Sequence, residues 1–437
     1  PQAGHDEDYS NNSIAPALSC VLWGRGGAMS KKILVVVGSL DRGGCEMHLL
    51  RVLPRLKSSS YHVEVFVLGR PGDLASEMMK AGVPVHAPFT PLSAKWPRAL
   101  NAVFIAVTAV KLLVHMMFRR PDIVHFFLPT SYILGAPLAI LAGIRNRIMS
   151  RRSLNDYQKT KPRFLAWFET LLHKRMTLIL GNSRRVVRQL VDEERAPAAR
   201  TVLLYNGIDT EPPVVTRDRS VVRETFGIGE HALVMACVAN LIPYKGHGDL
   251  IDALAGIGVK LPADWRLLLI GRDDGIGDDI ARKAEAYGLT RHILFLGSRP
   301  DVRVLLRASD VGVLPSHQEG FSNAVLEGMH AGLPMIVTKV GGNPEAVINN
   351  ETGIVVPPRN PHQFGQAILR LAHDPAQRTA MGQAGRQRVS MQFDIEDCVR
   401  RYADIYETLL NDHPVDVLLT ARRLQYKIIE EVDGAGR

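Results

Sequence analysis

Residues 311–334 read VGVLPSHQEGFSNAVLEGMHAGLP. The first four residues are apolar and predict a buried strand, and the polar stretch after them predicts a loop that leads into a helix. Ser322 and Asn323 are residue types that favour helix N-termini, whereas Gly332 and Pro334 are typical of a helix end. A strand followed by a glycine-containing loop and a helix N-terminus favours phosphate binding, because free backbone N–H groups point at the ligand.

The same alternation of apolar runs and helix-length segments extends over most of the chain. Strands that are apolar along their whole length are typical of parallel sheets covered by helices on both faces. Two series of strands are predicted, at residues 33–38, 63–68, 83–86, 123–127, 147–150, 178–181 and 201–205 and at residues 233–239, 267–271, 293–296, 311–314, 335–338 and 353–356. The predicted fold class is therefore α/β, with two Rossmann-like, doubly wound domains that face a cleft in which ligands bind.

The join between the two domains is expected at residues 206–219, where Asn-Gly, Pro-Pro and a charged cluster interrupt the pattern. Near the beginning of the chain, Asp6, Glu7 and Asp8 stand where a signal peptide would be positively charged, which argues against a secretion signal. The predicted parts are a disordered leader or upstream extension at 1–30, an N-terminal domain at 31–208, a C-terminal domain at 209–395, and a last helix with a tail at 396–437.

Composition and charge narrow the function classes. The chain has 437 residues, 46% hydrophobic and 22% charged, which indicates a globular rather than a disordered or fibrous protein. Its four cysteines lack metal-ligand spacing and suit a reducing, cytoplasmic location. Residues 31–210 contain 27 Lys and Arg against 12 Asp and Glu, a net charge of +15, whereas residues 211–437 contain 25 against 29, a net charge of −4.

A basic half favours an anionic partner, although basic residues can also simply solvate a surface. Anionic lipid, phosphorylated small molecules and nucleic acid all fit the charge, but no helix-turn-helix, RNP or zinc signature is present, so nucleic acid is excluded. Residues 100–118 are almost wholly apolar and have basic flanks. They fit a buried crossover helix, a helix on a membrane surface or a membrane span. We predict peripheral membrane association, because Lys111 and His115 lie on one helix face.

Four residues, each in or after a segment that follows or ends a predicted strand, could take part in binding or catalysis. Glu327, one turn inside the helix, could bind a ribose diol. Glu319, in the loop, would lie nearer to whatever group is attached to the far end of the phosphates. Lys245 follows the run at 233–239 and could hold a diphosphate as a point charge. His125 is predicted near the cleft end of its strand. Each also has a structural interpretation: solvated or helix-capping glutamates, a solvated lysine and a hydrogen-bonded core histidine.

Taken together, these residues resemble glycosyltransferase family 4, a family of retaining enzymes with the GT-B fold. Glu319 and Glu327 form its E-x7-E motif, and the resemblance extends over roughly residues 31–410. The other matching segments are Gly43-Gly44, Asn206-Gly207-Ile208-Asp209, Lys245-Gly246, Ala331-Gly332-Leu333-Pro334 and Gly341-Gly342-Asn343-Pro344-Glu345.

The resemblance implies that the C-terminal domain holds a nucleotide-sugar donor, that the N-terminal domain holds the acceptor, and that the last helix crosses back to the N-terminal domain. It implies catalytic roles for Glu319, Lys245 and His125: contact with the transferred sugar, neutralisation of the departing diphosphate, and contact with the donor sugar. The implied donor-binding residues are Gly43, Gly44, Asn240, Arg272, Gly320, Phe321, Ser322, Asn323 and Glu327.

One position departs from the family pattern. Many members have an arginine where this chain has Asn240, so a cation is missing there, and Arg272 is the residue expected to compensate. The lack of an Asp-x-Asp motif at a strand end agrees with a metal-independent enzyme without a cofactor. In the mechanism that the resemblance implies, the acceptor hydroxyl attacks the sugar face from which the nucleoside diphosphate departs.

The sequence therefore predicts a hexosyltransferase that uses a UDP- or GDP-sugar. We expect its acceptor to be a lipid-linked or membrane-borne precursor of polysaccharide or glycoconjugate biosynthesis. Alternatives are a nucleotide-sugar epimerase or sugar phosphorylase of the same fold, or a catalytically weakened, transferase-like binding subunit. A glycoside hydrolase that uses the two glutamates as its carboxylate pair would leave the basic loop unused.

Overall fold

The computed structural model describes residues 30–57, 61–88, 97–155, 158, 163–211 and 218–411. Nearly all of the predicted leader, and the tail after residue 411, lie outside them. The strands within them are β1 (Lys31–Val37), β2 (Tyr61–Val67), β3 (Val85–His86), β4 (Ile123–Phe127), β5 (Asn146–Arg151), β6 (Leu178–Gly181), β7 (Thr201–Leu203), β8 (Leu233–Val238), β9 (Trp265–Ile270), β10 (Ile293–Gly297), β11 (Val311–Leu314), β12 (Met335–Thr338) and β13 (Gly353–Val356). Every predicted strand is present.

Helices alternate with the strands in both series. They are α1 (Gly44–Lys57), α2 (Leu74–Lys80), α3 (Arg98–Arg119), α4 (Pro129–Leu141), α5 (Arg163–His173), α6 (Arg184–Arg188), α7 (Arg219–Thr225), α8 (His247–Ile257), α9 (Gly277–Ala286), α10 (Val302–Arg307), α11 (Asn323–His330), α12 (Asn343–Ala346), α13 (Pro361–His373), α14 (Pro375–Gln392) and α15 (Ile395–Leu410).

The strands form two separate parallel sheets. The first has seven strands in the order β3-β2-β1-β4-β5-β6-β7, and the second has six in the order β10-β9-β8-β11-β12-β13. Strand order reverses beside β1 in the first sheet and beside β8 in the second, which is the topology that opens a ligand crevice at the carboxyl ends of the strands. The prediction of two doubly wound α/β domains is therefore confirmed.

Alternation along the first sheet distributes its side chains between two helical layers. In β1, Ile33 and Val35 pack into the layer that contains α1, whereas Leu34 and Val36 pack into the layer that contains α3 and α4. Helix α15, from the end of the described chain, contributes several buried side chains to the α1 layer, including Tyr402. This is the position that the family resemblance implied for the last helix.

Helix α3 connects β3 to β4, so it is a crossover helix, but it is not a buried one. Its inner face contributes the buried Leu112 and Met116 to the core, while its outer face is exposed and apolar. Among the described residues, Ala99–Arg119 is the one helix long and apolar enough to cross a membrane, and 17% of its most apolar stretch is buried. Of the three alternatives that the sequence left open, the buried crossover helix is not what the structure shows, because this helix uses only one face for packing.

Candidate functional site

The two domains are in direct contact at the loop between β11 and α11. Gly320 lies in this loop, and a Cβ atom there would be 2.2 Å from the carbonyl oxygen of Arg152, just after β5. Nearby, the Glu345 carboxylate accepts hydrogen bonds from the backbone N–H groups of Arg184, at 2.8 Å, and Arg185, at 3.2 Å, in the first turn of α6. The cleft predicted from the sequence is therefore lined by both sheets at this loop.

The lysine loop after β8 packs against the same segment. Gly246 has φ of 72°, and a Cβ atom there would lie 2.1 Å from the carbonyl oxygen of Pro315. This approach brings Nζ of Lys245 to 2.7 Å from Oε1 of Glu319, and the hydroxyl of Ser316 donates to the same oxygen at 2.7 Å. The structure thus brings together two of the three predicted catalytic residues.

This ion pair is largely withdrawn from solvent. The side chain of Lys245 is 18% exposed and that of Glu319 is 8% exposed. Burial works against the charged form of the lysine, but the adjacent Glu319 carboxylate raises the pKa of Lys245 above its ordinary value. Lys245 is therefore a fixed cation at neutral pH, positioned beside the loop that leads into α11.

Asparagine side chains join the beginning of α11 to the N-terminal domain. The side-chain amide of Asn323 donates to the carbonyl oxygen of Gly44 at 2.9 Å. The amide of Asn206 donates to the carbonyl of Phe321 at 3.0 Å and to Oδ1 of Asn323 at 2.7 Å. Asn323, which follows the buried N-cap residue Ser322, thus contacts Gly44, so most of the predicted donor-binding residues lie in one place.

The two predicted glycines before α1 differ in their surroundings. A Cβ atom at Gly43 would lie 2.5 Å from Oε2 of Glu46, whereas a Cβ atom at Gly44 would have no described atom within 4 Å. Gly44 therefore borders open space at the helix N-terminus, which is where a diphosphate could approach the backbone closely.

Glu327 makes a contact that the sequence did not predict. Its Oε1 accepts a hydrogen bond at 2.5 Å from Nη2 of Arg51 on α1, and each of these side chains is 12% exposed. Arg51 also lies 3.7 Å from Asp209, which Arg55 contacts at 2.5 Å. No local pattern identifies Arg51, because it and Glu327 are 276 positions apart in the sequence.

Asn240 and Arg272 are adjacent, as the expected compensation requires. Oδ1 of Asn240 accepts a hydrogen bond from the backbone N–H of Arg272 at 3.2 Å. The Arg272 guanidinium instead contacts Asp274 at 2.6 Å, and this hydrogen bond raises the pKa of Arg272. Arg272 thus lies just after β9, next to Asn240, as compensation would require, but its guanidinium is paired with an aspartate.

His125 does not line the cleft. It is fully buried, with Nδ1 2.8 Å from the hydroxyl of Tyr406 and Nε2 2.8 Å from the hydroxyl of Ser150. Burial, with a further contribution from the positive charge of Arg152, holds its pKa well below the ordinary value. Because both ring nitrogens are engaged inside the core, the predicted position on the cleft side is corrected and His125 is removed from the catalytic set.

Arg152 is a cleft residue that sequence reasoning missed. Its guanidinium donates to Oδ1 of Asn206 and lies 6.0 Å from the ring centroid of Phe127. It also contacts the hydroxyl of Tyr402 at 3.4 Å. Its position directly after β5 was a usable signal, because ligands in such folds bind beyond the carboxyl ends of the strands.

Two family models match the chain, one in each domain. The model described as Glycosyltransferase Family 4 matches residues 42–212, and the model described as Glycosyl transferases group 1 matches residues 218–388. Together they span well over half of the sequence. The chain belongs to glycosyltransferase family 4. The same matches confirm the prediction of an enzyme of the hexosyltransferase type.

Individual relatives and solved structures agree with this assignment. A D-inositol 3-phosphate glycosyltransferase of Salinispora tropica is 26% identical over 408 residues, covering 86% of this chain and 83% of that protein. The Anabaena protein HepE in complex with UDP-glucose has a TM-score of 0.74 and 22% identity, covering 86% of this chain and 99% of that one. WaaG, a glycosyltransferase involved in lipopolysaccharide biosynthesis, has a TM-score of 0.68 and 20% identity, covering 85% and 99%. The GT-B fold is therefore confirmed.

Proposed function

We propose that this glycosyltransferase transfers a hexose, with retention of anomeric configuration, from a nucleotide sugar to an acceptor hydroxyl and requires no catalytic metal. The observation that carries this proposal is the Lys245–Glu319 ion pair, held at 2.7 Å beside the N-terminus of α11. A fixed cation next to free helix N–H groups suits a diphosphate leaving group, and an adjacent carboxylate suits the hydroxyl groups of the transferred sugar.

The reaction that we propose uses these positions. The acceptor oxygen forms a bond to the anomeric carbon on the face from which the diphosphate departs, and the bond between that carbon and the diphosphate oxygen breaks. The acceptor proton passes to the departing phosphate oxygen, so no protein nucleophile is needed. Negative charge develops on the diphosphate in the transition state, and Lys245 with the N–H groups of residues 320–323 would stabilise it.

Donor binding requires a rearrangement at Glu327. Its carboxylate is bound to Arg51 in this structure, so a ribose diol would have to share or replace that contact. We propose UDP as the preferred nucleotide and GDP as the next candidate. The support for UDP is the complex of HepE with UDP-glucose, a protein of the same fold.

Thermal unfolding with UDP, GDP and ADP, each with and without EDTA, tests the donor assignment. A nucleotide at about 100 times its dissociation constant should stabilise the protein by roughly 2.7 kcal/mol. We expect UDP to give the largest shift, EDTA to leave it unchanged, and Glu327→Ala to abolish it. Glu351→Gln, an exposed carboxylate in a turn, is the matched control and should retain the shift. Stabilisation that depends on a divalent cation would contradict the metal-free assignment.

We also propose that the acceptor is membrane-borne and that α3 lies on the cytoplasmic membrane surface. The exposed row on α3 recurs at helical spacing, as Leu100, Val103, Val107, Val110, Val114, Met117 and Phe118, and Phe118 is 84% exposed. Helix α5, which covers the same sheet face, exposes Phe164 and Trp167 at 64% each. Exposed Arg119 and Arg120 at the end of α3 would attract anionic headgroups.

Liposome flotation tests this surface. We expect binding to vesicles with anionic lipid at low salt, weaker binding to neutral vesicles, and a loss of at least about tenfold for a variant with Val110→Ser and Phe118→Ser. Val259→Ser removes an apolar side chain that is 97% exposed in the C-terminal domain and serves as the control. Equal binding by all three proteins would rule out α3 as the membrane contact.

A further inference from the structure

Three potential metal ligands converge between α3 and the first sheet. Glu64 comes from β2, His86 from β3 and His115 from α3. Nε2 of His115 lies 2.9 Å from Oε1 of Glu64, and Nε2 of His86 lies 3.1 Å from Oε2. One ligand atom from each residue lies within 4.8 Å of the other two. Each carboxylate oxygen is therefore paired with one imidazole nitrogen.

The position of Glu64 is unusual for a strand of this kind. Its neighbours Val63 and Val65 face the α1 layer, and Phe66 packs into the α3 layer on the side toward which Glu64 points. Glu64 is 5% exposed. An ionised carboxylate at such a depth requires a compensating partner, because burial of an unpaired charge is costly. Among the described residues, Glu64 forms hydrogen bonds with His86 and His115 and with none of the predicted catalytic or donor-binding residues.

The spacing and chemistry of the three groups suit zinc. Two imidazoles and one carboxylate are a common zinc ligand set, with bond lengths of about 2.0–2.2 Å. Neighbouring ligand atoms around a tetrahedral ion at that distance are about 3.3 Å apart. The contacts of 2.9 and 3.1 Å reach different oxygens of Glu64, and one ligand atom from each residue lies within 4.8 Å of the other two, so only side-chain adjustments are needed for all three to bind one ion. The His86 side chain is 29% exposed, which leaves a route for the ion and room for water as a fourth ligand.

We propose that Glu64, His86 and His115 bind one Zn²⁺ ion that fixes α3 to the sheet. The three ligands belong to three different elements, so an ion bound to all of them would cross-link the outer helix to β2 and β3. One turn earlier on α3, Lys111 donates to the carbonyl oxygen of Ala87, so the same end of the sheet already holds the helix at a second point. The ion would hold α3 in place and would not take part in the proposed transfer reaction, although three protein ligands with water in the fourth position form an open site.

Calorimetric titration of Zn²⁺ into the full chain tests this site, with the protein free of any histidine tag and stripped of metal beforehand. We expect one site per chain that Mg²⁺ does not occupy. His86→Asn and His115→Gln should each weaken zinc binding by at least about tenfold, because even indirect ligand partners have effects of that size. Co²⁺ at the same site should give the strong visible absorption of a four-coordinate ion. His62→Asn, an exposed histidine on β2, is the control and should bind like the wild type.

Two results would overturn the site. One is zinc binding by the wild type that is no tighter than binding by folded His86→Asn, with circular dichroism confirming the fold. The other is equal weakening by His62→Asn, which would indicate general surface histidine binding. UDP-induced stabilisation measured on the stripped and zinc-loaded proteins keeps this proposal separate from the donor assignment, because we expect the two values to be the same.

Discussion

Replacement of Lys245 by methionine removes the cation beside the donor loop and keeps most of the side-chain volume. The Lys245 and Glu319 side chains are 18% and 8% exposed. The cost of removing one partner should therefore lie between that for an exposed ion pair, about 0–1 kcal/mol, and that for a fully buried one, about 3–5 kcal/mol. Ser316 still donates to Glu319 at 2.7 Å. We therefore expect Lys245→Met to lower the free energy of unfolding by about 1–3 kcal/mol.

Glu319→Gln separates this stability effect from the catalytic effect. In the double variant Lys245→Met/Glu319→Gln an uncharged amide replaces the carboxylate, so no unpaired buried charge remains and the free energy of unfolding should return to within about 1 kcal/mol of the wild type. Turnover should not recover, because the departing diphosphate still lacks its cation and the transferred sugar has also lost the Glu319 carboxylate; the effect of the cation alone is therefore taken from the Lys245→Met single variant. Loss of one such group typically lowers kcat by about 10²–10³-fold.

The assay combines urea unfolding with nucleotide release from the donor sugar, for both single variants and the double variant. Lys339→Met, an exposed lysine after β12, is the matched control and should change neither quantity. Folded Lys245→Met with turnover within about threefold of the wild type would refute the assigned role of this lysine in stabilising the leaving group.

Three further predictions concern two glycines and the pH dependence of stability. Gly44→Ala should leave the unfolding free energy within about 0.5 kcal/mol of the wild type, because its Cβ meets no described atom within 4 Å, yet it should reduce the thermal stabilisation by UDP. Gly320→Ala places a methyl group 2.2 Å from a backbone oxygen of Arg152 and should reduce both stability and UDP binding; unchanged stability would contradict the observed domain contact. Burial, and next the charge of Lys245, lower the pKa of His247 from 6.5 to about 4. The unfolded chain therefore binds more protons than the folded one between these values, so this residue should cost up to about 3 kcal/mol as the pH falls from 6.5 to 4. His247→Gln should flatten that loss in urea unfolding at each pH.

The fold was predictable because its strands carry a strong local signal. A parallel strand covered on both faces must be apolar along its length. Runs such as residues 233–238 can therefore be recognised as strands from the local sequence alone. The helix between β3 and β4 was harder to interpret. Its apolar composition fits a buried helix as well as a helix on a membrane surface. Only the structure distinguishes the face that packs against the sheet through Leu112 from the exposed face that carries Phe118.

The site was predictable where function follows from a loop after a strand, and not where it depends on domain contact. Glu319 and Lys245 could be predicted to lie close together because each follows a strand end, and their side chains are in contact. Arg51 was missed because its partner lies on the other domain. His125 was predicted on the cleft side because the sequence of β4 does not show which face of the strand the last helix covers. In the structure that helix covers the face of His125, and Tyr406 contacts its ring.

The most direct test of the central claim is proton NMR of UDP-glucose hydrolysis by the purified protein in EDTA, with water in place of the acceptor. We expect slow release of UDP together with the α-anomer of glucose as the first product, at a rate that added Mg²⁺ does not raise and that Glu319→Gln strongly reduces. Initial release of the β-anomer, or hydrolysis only with added metal, would contradict retention through a lysine-stabilised, metal-free leaving group.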